Sequence, residues 1–176
     1  MSIRICGGRF RSIRLASPGL HVRPTTDRVK EAIFSTLMLD LENSHVLDLF
    51  AGSGALGCEA LSRGAARVTF VEQSRECVAV IKRNTATLQA HDVVTVIKGD
   101  ARAFVNACRE TYDLIFMDPP YHKGLASDLA PHVYNLLNTG GILVVEHERG
   151  AEIPLMPWKH RHYGDTTISY FTRSER

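Results

Sequence analysis

Long hydrophobic runs are missing from this sequence of 176 residues, although 44% of the residues are hydrophobic. No apolar run approaches the roughly 18 residues that a membrane-spanning helix requires. The charged N-terminus lacks the apolar segment of a secretory signal. We therefore expect a cytoplasmic protein with no membrane partner. The length fits one domain, and the composition excludes a largely disordered chain or a collagen-like repeat.

Cysteine is also scarce, and the chain has no C-x-x-C pair. The four cysteines are Cys6, Cys58, Cys77 and Cys108. Their scatter excludes a disulfide-stapled mini-protein and argues against a zinc site. We predict reduced, mostly buried thiols and no bound metal.

Acidic residues are nearly absent from the first 30 positions, where Asp27 stands against seven basic residues. The other 146 residues hold 14 basic and 18 acidic groups. The arginines of the basic segment are Arg4, Arg9, Arg11, Arg14, Arg23 and Arg28. A basic arm on a mildly acidic body favours a polyanionic partner, most often nucleic acid. An arginine-rich hairpin that is merely solvated would have the same composition.

The basic segment has the pattern of a β-hairpin followed by a helix. Apolar and charged residues alternate over 2–7 and 10–16, with two glycines between these stretches. Either Thr25 or Thr26 can cap a helix over 26–41, whose apolar residues recur every four positions.

Beyond Ser44, short apolar segments alternate with helical ones. The pattern predicts strands over 45–50, 67–71, 93–97, 112–117 and 142–145. Nearly all-apolar strands between helices predict an α/β fold with a parallel sheet covered on both faces. The helix over about 125–137 contains Pro131, which we expect to kink or restart it.

The tail breaks this alternation and predicts an antiparallel hairpin over 159–163 and 167–172. Ligands of parallel sheets bind beyond the carboxyl ends of the strands. The residues that follow each apolar strand are therefore the first candidates for chemistry.

A glycine-rich turn, residues 48–57, ends the first of these strands. Gly52, Gly54 and Gly57 satisfy G-x-G-x-x-G, the pattern of dinucleotide binding, so NAD is a candidate ligand. Asp48 points to a different ligand, because a carboxylate at the strand end suits a cationic amino group rather than a pyrophosphate.

Acidic residues also follow the next two strands. Glu72 can accept both hydrogen bonds of a ribose diol, which fits NAD and adenosyl ligands equally, or it can cap a helix. Asp100 can accept from an adenine amino group or cap the helix that follows it, and the two roles are compatible.

The fourth strand is followed by Asp118-Pro119-Pro120-Tyr121. Two prolines cannot continue a strand ladder, so they form a rigid rim with free carbonyl groups. Acceptors beside an aromatic ring can hold the exocyclic amino group of a nucleobase that stacks on the tyrosine. A rigid turn without a ligand is the alternative interpretation.

These residues resemble class I S-adenosylmethionine-dependent methyltransferases that modify exocyclic amino groups. Residues 48–57 look like motif I of those enzymes, and 118–121 like their D/N-P-P-Y/F/W motif. The segments 7–11 and 23–31 extend the similarity to the RsmD family, which methylates guanine N2 in small-subunit ribosomal RNA. The resemblance covers about residues 3–148, and the tail beyond it is weakly matched.

The resemblance implies a Rossmann-like fold with a mostly parallel seven-stranded sheet and helices on both faces. An N-terminal β-hairpin extension over 1–24 would precede a catalytic core over 25–176 within one domain. The implied cofactor is S-adenosylmethionine, with no metal. The implied partner of a monomeric enzyme is small-subunit ribosomal RNA, free or within a 30S subunit.

The resemblance also implies roles for individual residues. The catalytic set is Asp118, Pro119, Pro120 and Tyr121. The cofactor-binding set is Asp48, Phe50, Ala51, Gly52, Ser53, Gly54, Glu72, Gln73, Asp100 and Ala101. The six arginines named above would bind RNA.

Other functions stay open on the sequence alone. They are adenine N6 methylation of DNA or RNA, an NAD-dependent oxidoreductase, and a non-catalytic RNA-binding factor. Cys58 and Cys77 fall inside predicted helices, so we interpret them as core residues. Glu146 or Glu148 can have a minor role at the edge of the site, and Trp158 is expected to pack against the protein.

Overall fold

The computed structural model describes residues 3–19, 26–38, 40–121 and 124–174. Its strands are β1 (Ile3–Arg4), β2 (Arg14–Leu15), β3 (His45–Leu49), β4 (Arg67–Glu72), β5 (Val94–Lys98), β6 (Tyr112–Met117), β7 (Leu137–Glu148), β8 (Lys159–Tyr163) and β9 (Thr166–Thr172). Its helices are α1 (Asp27–Thr36), α2 (Ala55–Ser62), α3 (Arg75–Thr87), α4 (Ala101–Ala107) and α5 (Leu125–Tyr134), with a 3-10 turn at His91–Val93. No helix in these ranges is long and apolar enough to cross a membrane.

Seven strands form one mixed sheet in the order β5-β4-β3-β6-β7-β9-β8. Neighbours from β5 to β7 are parallel, and β9 runs antiparallel between β7 and β8. The sheet and its closing hairpin confirm the predicted fold class. One apolar cluster includes α1 and α2, and a second includes residues of α4 and α5.

Three side-chain caps fix where helices begin. The hydroxyl of Thr26 accepts from the Val29 amide, and that of Ser74 accepts from the Cys77 amide. The Asp100 carboxylate accepts from the Ala103 amide and starts α4. Each side chain satisfies an amide that the first helical turn leaves without a partner.

The predicted C-terminal ends of α1 and α5 were wrong, because buried apolar residues continue beyond the end of each helix. α1 ends at Thr36, although Leu37 and Leu41 beyond it are buried. Their spacing therefore reflects packing in the core and does not mark a continuation of the helix. α5 runs through Pro131 without restarting and ends at Tyr134. Buried residues on both sides of that proline hold the helix despite the lost backbone bond.

β7 is longer than predicted, because it begins at Leu137 and contains both Gly140 and Gly141. Its pairing with β6 shifts register between Tyr112 and Leu114. The glycines therefore lie within an irregular strand instead of preceding it.

The N-terminal hairpin pairs over only two residues in each strand. Its loop bends onto α2, where the buried Glu59 carboxylate accepts from the amides of Cys6 and Gly7, each at 2.8 Å. Glu59 also pairs with Arg63 at 2.8 Å. This carboxylate, which the sequence analysis did not single out, attaches the hairpin to the core.

Lys30 is a second attachment point of the hairpin. Its side chain is 1% exposed, donates to the Arg4 carbonyl and pairs with Asp27 at 3.2 Å. One of the seven N-terminal cations is therefore structural. The predicted boundary at residue 24 falls outside the described residues and stays a prediction.

Candidate active site

A cleft of about 890 Å³ opens at the carboxyl ends of the parallel strands. The segments predicted after β3, β4, β5 and β6 all line it. The lining includes Asp48, Phe50, Ala51, Gly52, Ser53, Glu72, Gln73, Asp100, Ala101, Asp118, Pro119, Pro120 and Tyr121. Candidates that are up to 73 positions apart in sequence therefore meet at one site.

The glycine-rich turn shapes the floor of this cleft. Phe50, Gly52 and Gly54 have φ of 64°, 55° and 75°, in the left-handed region that favours glycine. Gly54 is not among the lining residues and instead precedes α2. A Cβ on Gly57 would lie 2.3 Å from the Phe70 ring, so the third glycine of the pattern allows α2 to pack closely on β4.

Asp48 is the most deeply placed acid in the cleft, with 3% of its surface exposed. Its Oδ2 accepts from the Gly57 amide at 2.9 Å. Burial raises the pKa of Asp48 to about 7, with a smaller contribution from the negative charge of Glu72 in the same direction. A cationic ligand group beside this carboxyl would favour its charged form.

Glu72, the last residue of β4, braces the loop that follows β3 and the loop that follows β4. Its Oε2 accepts from the Gly52 amide and its Oε1 from the Ser74 amide, each at 2.8 Å. Each oxygen has further acceptor capacity, so this bracing is compatible with a ribose diol. Asp100 is exposed at the rim and caps α4, and its adenine contact stays a prediction.

The Asp-Pro-Pro-Tyr segment, residues 118–121, follows β6 and forms a lip of the cleft beside the glycine-rich turn. Asp118 is half-buried, Pro119 is buried and Pro120 is exposed. The Tyr121 hydroxyl donates to Glu146 Oε1 at 3.2 Å and lies 2.6 Å from Thr166 Oγ1. Burial raises the pKa of Tyr121 to about 12, so the phenol is neutral at physiological pH.

The C-terminal hairpin contributes lining residues that the sequence analysis did not assign to the site. They are His162, Tyr163, Gly164 and Thr166. Glu146, one of the two acids considered at this edge of the site, also lies in the cleft. Only the antiparallel insertion of β9 beside β7 brings Thr166 to the lip, and no local motif signals that pairing.

The predicted RNA-binding arginines differ in their position relative to the cleft. Arg28 lines the cleft itself, whereas Arg4, Arg9, Arg11 and Arg14 are exposed outside it. Arg23 lies outside the described residues. The Arg9 guanidinium stands 4.5 Å from the centre of the Phe10 ring, so it is directed by a local cation–π contact.

Other predictions concerned residues of the core. Cys58 and Cys77 are buried in α2 and α3, and all four cysteines are free thiols. Within the described ranges no cluster of histidine, cysteine or acidic side chains could hold a metal ion. Trp158 contacts Tyr170 but is 51% exposed, so its expected packing is only partial.

Comparison with known proteins shows similarity over nearly the whole chain. The sequence model of the family described as Conserved hypothetical protein 95 matches residues 3–172, so the match continues into the tail that seemed weakly related. Ribosomal RNA small subunit methyltransferase D of Escherichia coli K12 is 39% identical over 96% of this chain and 87% of its own length.

Two solved structures have the same architecture. A hypothetical protein of Thermus thermophilus is 30% identical, with a TM-score of 0.82 over 97% of this chain and 99% of that chain. An RNA methyltransferase of Salinibacter ruber in complex with S-adenosyl-L-homocysteine has a TM-score of 0.71 over 88% of this chain and 95% of that chain. At 19% identity, the second likeness concerns the fold alone.

Proposed function

Because the chain belongs to the Conserved hypothetical protein 95 family, we propose that it is an S-adenosylmethionine-dependent methyltransferase that acts on guanine N2 of small-subunit ribosomal RNA. The observation that carries this proposal is the meeting of the glycine-rich turn and the Asp118–Tyr121 lip in one cleft. The 39% identity to ribosomal RNA small subunit methyltransferase D supports the choice of RNA.

The turn side of the cleft fits the methyl donor. The left-handed residues of the turn allow close approach of a ligand to the backbone. Asp48 would bind the amino group of the methionine moiety, Glu72 the ribose hydroxyls and Asp100 the adenine amino group. When bound, the donor supplies an electrophilic methyl group on a sulfonium.

The lip side would hold the nucleophile. An aromatic amino group reacts poorly, since its lone pair is delocalised into the ring. Hydrogen bonds from that amino group to Asp118 and the Pro119 carbonyl would favour a pyramidal nitrogen with a more available lone pair. Positive charge develops on the nitrogen as it takes up the methyl group, and the Asp118 carboxylate stabilises that charge until the acidic nitrogen releases a proton to solvent.

Positioning is the other task of the lip. Alignment of two reactants can contribute about 7–11 kcal/mol to lowering a barrier. Tyr121 would stack on the base, and its hydroxyl contacts to Glu146 and Thr166 fix the ring for that role. The target base must leave its stack to reach this pocket, which costs a few kcal/mol in a duplex.

The basic arm would bind the phosphates around the target. Exposed Arg9, Arg11 and Arg14, with Arg28 at the cleft, are suited to this contact. Phosphate contacts position a nucleic acid without reading its bases. We propose a monomeric enzyme whose substrate is the ribosomal RNA, free or within a 30S subunit.

Methyl transfer from a labelled donor tests the proposal. We expect label in N2-methylguanosine after incubation with unmodified small-subunit RNA or subunits, followed by nucleoside analysis. Asp118→Ala should reduce the rate at least about 100-fold, the loss typical of a group that stabilises transition-state charge. Its affinity for S-adenosylhomocysteine, measured by calorimetry, should stay within about twofold of the unsubstituted protein, since Asp118 is outside the donor set.

The competing functions give different results in the same experiments. Label in N6-methyladenosine would replace guanine by adenine as the acceptor. Binding of NAD without binding of S-adenosylhomocysteine would indicate an oxidoreductase. RNA binding with no transfer of label to any nucleoside would indicate a non-catalytic factor.

A further inference from the structure

Glu146 occupies the position in β7 that corresponds to Asp118, the residue directly after β6. The two strands are parallel and pair Met117 with Val145, so each acid is the next residue along its strand. Adjacent strands lie about 4.8 Å apart. The fold therefore places a second carboxylate directly beside the first residue of the lip.

Both acids face the same space. Asp118 and Glu146 line the cleft, and the Glu146 carboxylate reaches Tyr121, whose hydroxyl donates to its Oε1 at 3.2 Å. A base that stacks on the Tyr121 ring would have Asp118 and Glu146 along one edge. The arrangement offers that edge two neighbouring anionic acceptors.

Guanine and adenine present different hydrogen-bonding groups to a pair of carboxylates. The Watson–Crick edge of guanine carries two donors on neighbouring atoms, N1–H and the 2-amino group. Adenine presents one donor, the 6-amino group, and an N1 lone pair that a carboxylate repels. Enzymes that take a base out of the stack read it by hydrogen bonds to this edge.

We propose that Glu146 accepts the N1–H of the target guanine while Asp118 holds its 2-amino group, so that Glu146 selects guanine over bases with an N1 lone pair. This inference rests on the proposed function. Glu146 is then a specificity residue of the base site. A base without N1–H leaves the carboxylate facing a lone pair, and sites built to bond a donor reject such analogues strongly.

A purely structural role for Glu146 makes a different prediction. Thr166 also contacts the Tyr121 hydroxyl, at 2.6 Å, so both residues orient the ring. If Glu146 acted only by orienting Tyr121, removal of Thr166 Oγ1 would have similar consequences. Thr166→Val is therefore the matched control, since it loses a contact to Tyr121 without removing the proposed acceptor.

The test compares guanine with 2,6-diaminopurine, which keeps the 2-amino group but has a lone pair at N1. After the target nucleotide has been mapped, ribosomal RNA with the analogue at that position alone is made by ligation. It is presented in whichever form, naked or assembled, the unsubstituted enzyme methylates. The ratio of kcat/KM for guanine and analogue is measured for the unsubstituted protein, Glu146→Gln and Thr166→Val.

We expect the unsubstituted protein and Thr166→Val to prefer guanine by about 100-fold or more. Glu146→Gln should reduce this preference to within a few-fold, because a neutral amide can turn either its oxygen or its NH2 group to the base. Equal preference in Glu146→Gln and the unsubstituted protein would overturn the inference while leaving the proposed function intact. Failure of the unsubstituted protein to methylate guanine N2 would overturn the proposed function, and this inference with it.

Discussion

Two opposing effects act on the pKa of Asp48. It is almost fully buried, and its carboxylate accepts a hydrogen bond from the Gly57 amide. Burial favours the neutral form of a carboxyl group more than this one bond favours the charged form, which is why the pKa rises to about 7. The protein thus keeps at the proposed amino-group site a charge that weakens its own folded state.

Replacement of this acid should stabilise the protein. The folded-state pKa of Asp48 lies above its ordinary value of 3.8, so the folded state binds more protons between these values. The contribution of this group to the free energy of unfolding therefore falls as the pH rises from about 4 to 7. Asp48→Asn should raise the free energy of unfolding at pH 7.5 by roughly 2 kcal/mol, less than the whole shift implies because the amide is also polar.

Urea denaturation at pH 7.5 and pH 5 measures this effect. The advantage of Asp48→Asn should shrink at the lower pH, where the carboxyl of the folded protein is already protonated. Glu42→Gln, at an exposed position, is the control and should change little at either pH. An Asn variant that is less stable at pH 7.5 would contradict the cost assigned to the buried charge.

The predicted site residues came together because parallel strands end at one edge of a sheet. Asp48, Glu72 and Asp118 each lie at the end of a strand whose apolar run is visible in the sequence. That regularity made the core of the cleft predictable. The three helix caps were predictable for a similar reason, since a capping side chain acts on amides within three residues of itself.

The N-terminal hairpin was less predictable, because distant residues determine its shape. Alternation suggested two long strands, but the amides of Cys6 and Gly7 bond to Glu59 instead of continuing a ladder. A glutamate in the middle of α2 gives no local sign that it will receive a loop more than 50 positions away. The position of Thr166 at the lip was also not predictable from local sequence, because the pairing of β9 with β7 brings it there.

Loss of the Glu59 charge should release the hairpin. Glu59 is fully buried, and its carboxylate accepts from two backbone amides and pairs with Arg63. The side chain of glutamine can replace only some of these contacts. Glu59→Gln should lower the free energy of unfolding by about 3 kcal/mol, as expected when a buried ionic network is broken. Urea denaturation measures the loss, and trypsin cleavage after Arg9 and Arg11 should become faster.

The exposed Glu42→Gln serves here too as the matched control, since it removes a carboxylate outside the core. Unchanged stability together with unchanged cleavage in Glu59→Gln would mean that other contacts attach the hairpin. The buried Lys30, which bonds to the Arg4 carbonyl, would then be the principal candidate.

Charge is distributed unevenly between the N-terminal hairpin and the cleft. Exposed arginines lie on the N-terminal hairpin outside the cleft, and acids line the part of the cleft proposed to hold the donor. The composition predicted a basic N-terminal segment, but that count included Lys30, whose side chain is buried. Only a three-dimensional arrangement distinguishes a cation that can meet phosphate from one that holds the chain together.

Neutralisation of the arm should weaken RNA binding and leave the donor site unchanged. Each phosphate contact that is lost reduces the slope of log K against log salt by about 0.7–0.9. Arg9→Ala with Arg11→Ala should therefore lower both the affinity for ribosomal RNA and its salt dependence, measured by filter binding at several salt concentrations. Affinity for S-adenosylhomocysteine should stay the same.

Two exposed arginines outside the hairpin provide the control. Arg67 begins β4 and Arg109 precedes β6, so both lie at the amino ends of strands, away from the cleft. Their replacement by alanine removes the same formal charge and should leave the salt slope unchanged. Equal losses in the two double variants would indicate a general effect of net charge in place of a defined binding surface.

The position of β9 determines when this site can exist during synthesis. Thr166 belongs to the strand nearest the carboxyl end among those described, and it is inserted between β7 and β8. A nascent chain that has already exposed the turn, the acids and the lip still lacks the hydroxyl that contacts Tyr121. The ribosome must therefore release the chain as far as β9 before Tyr121 acquires this contact, so translation products that end before Thr166 would lack it.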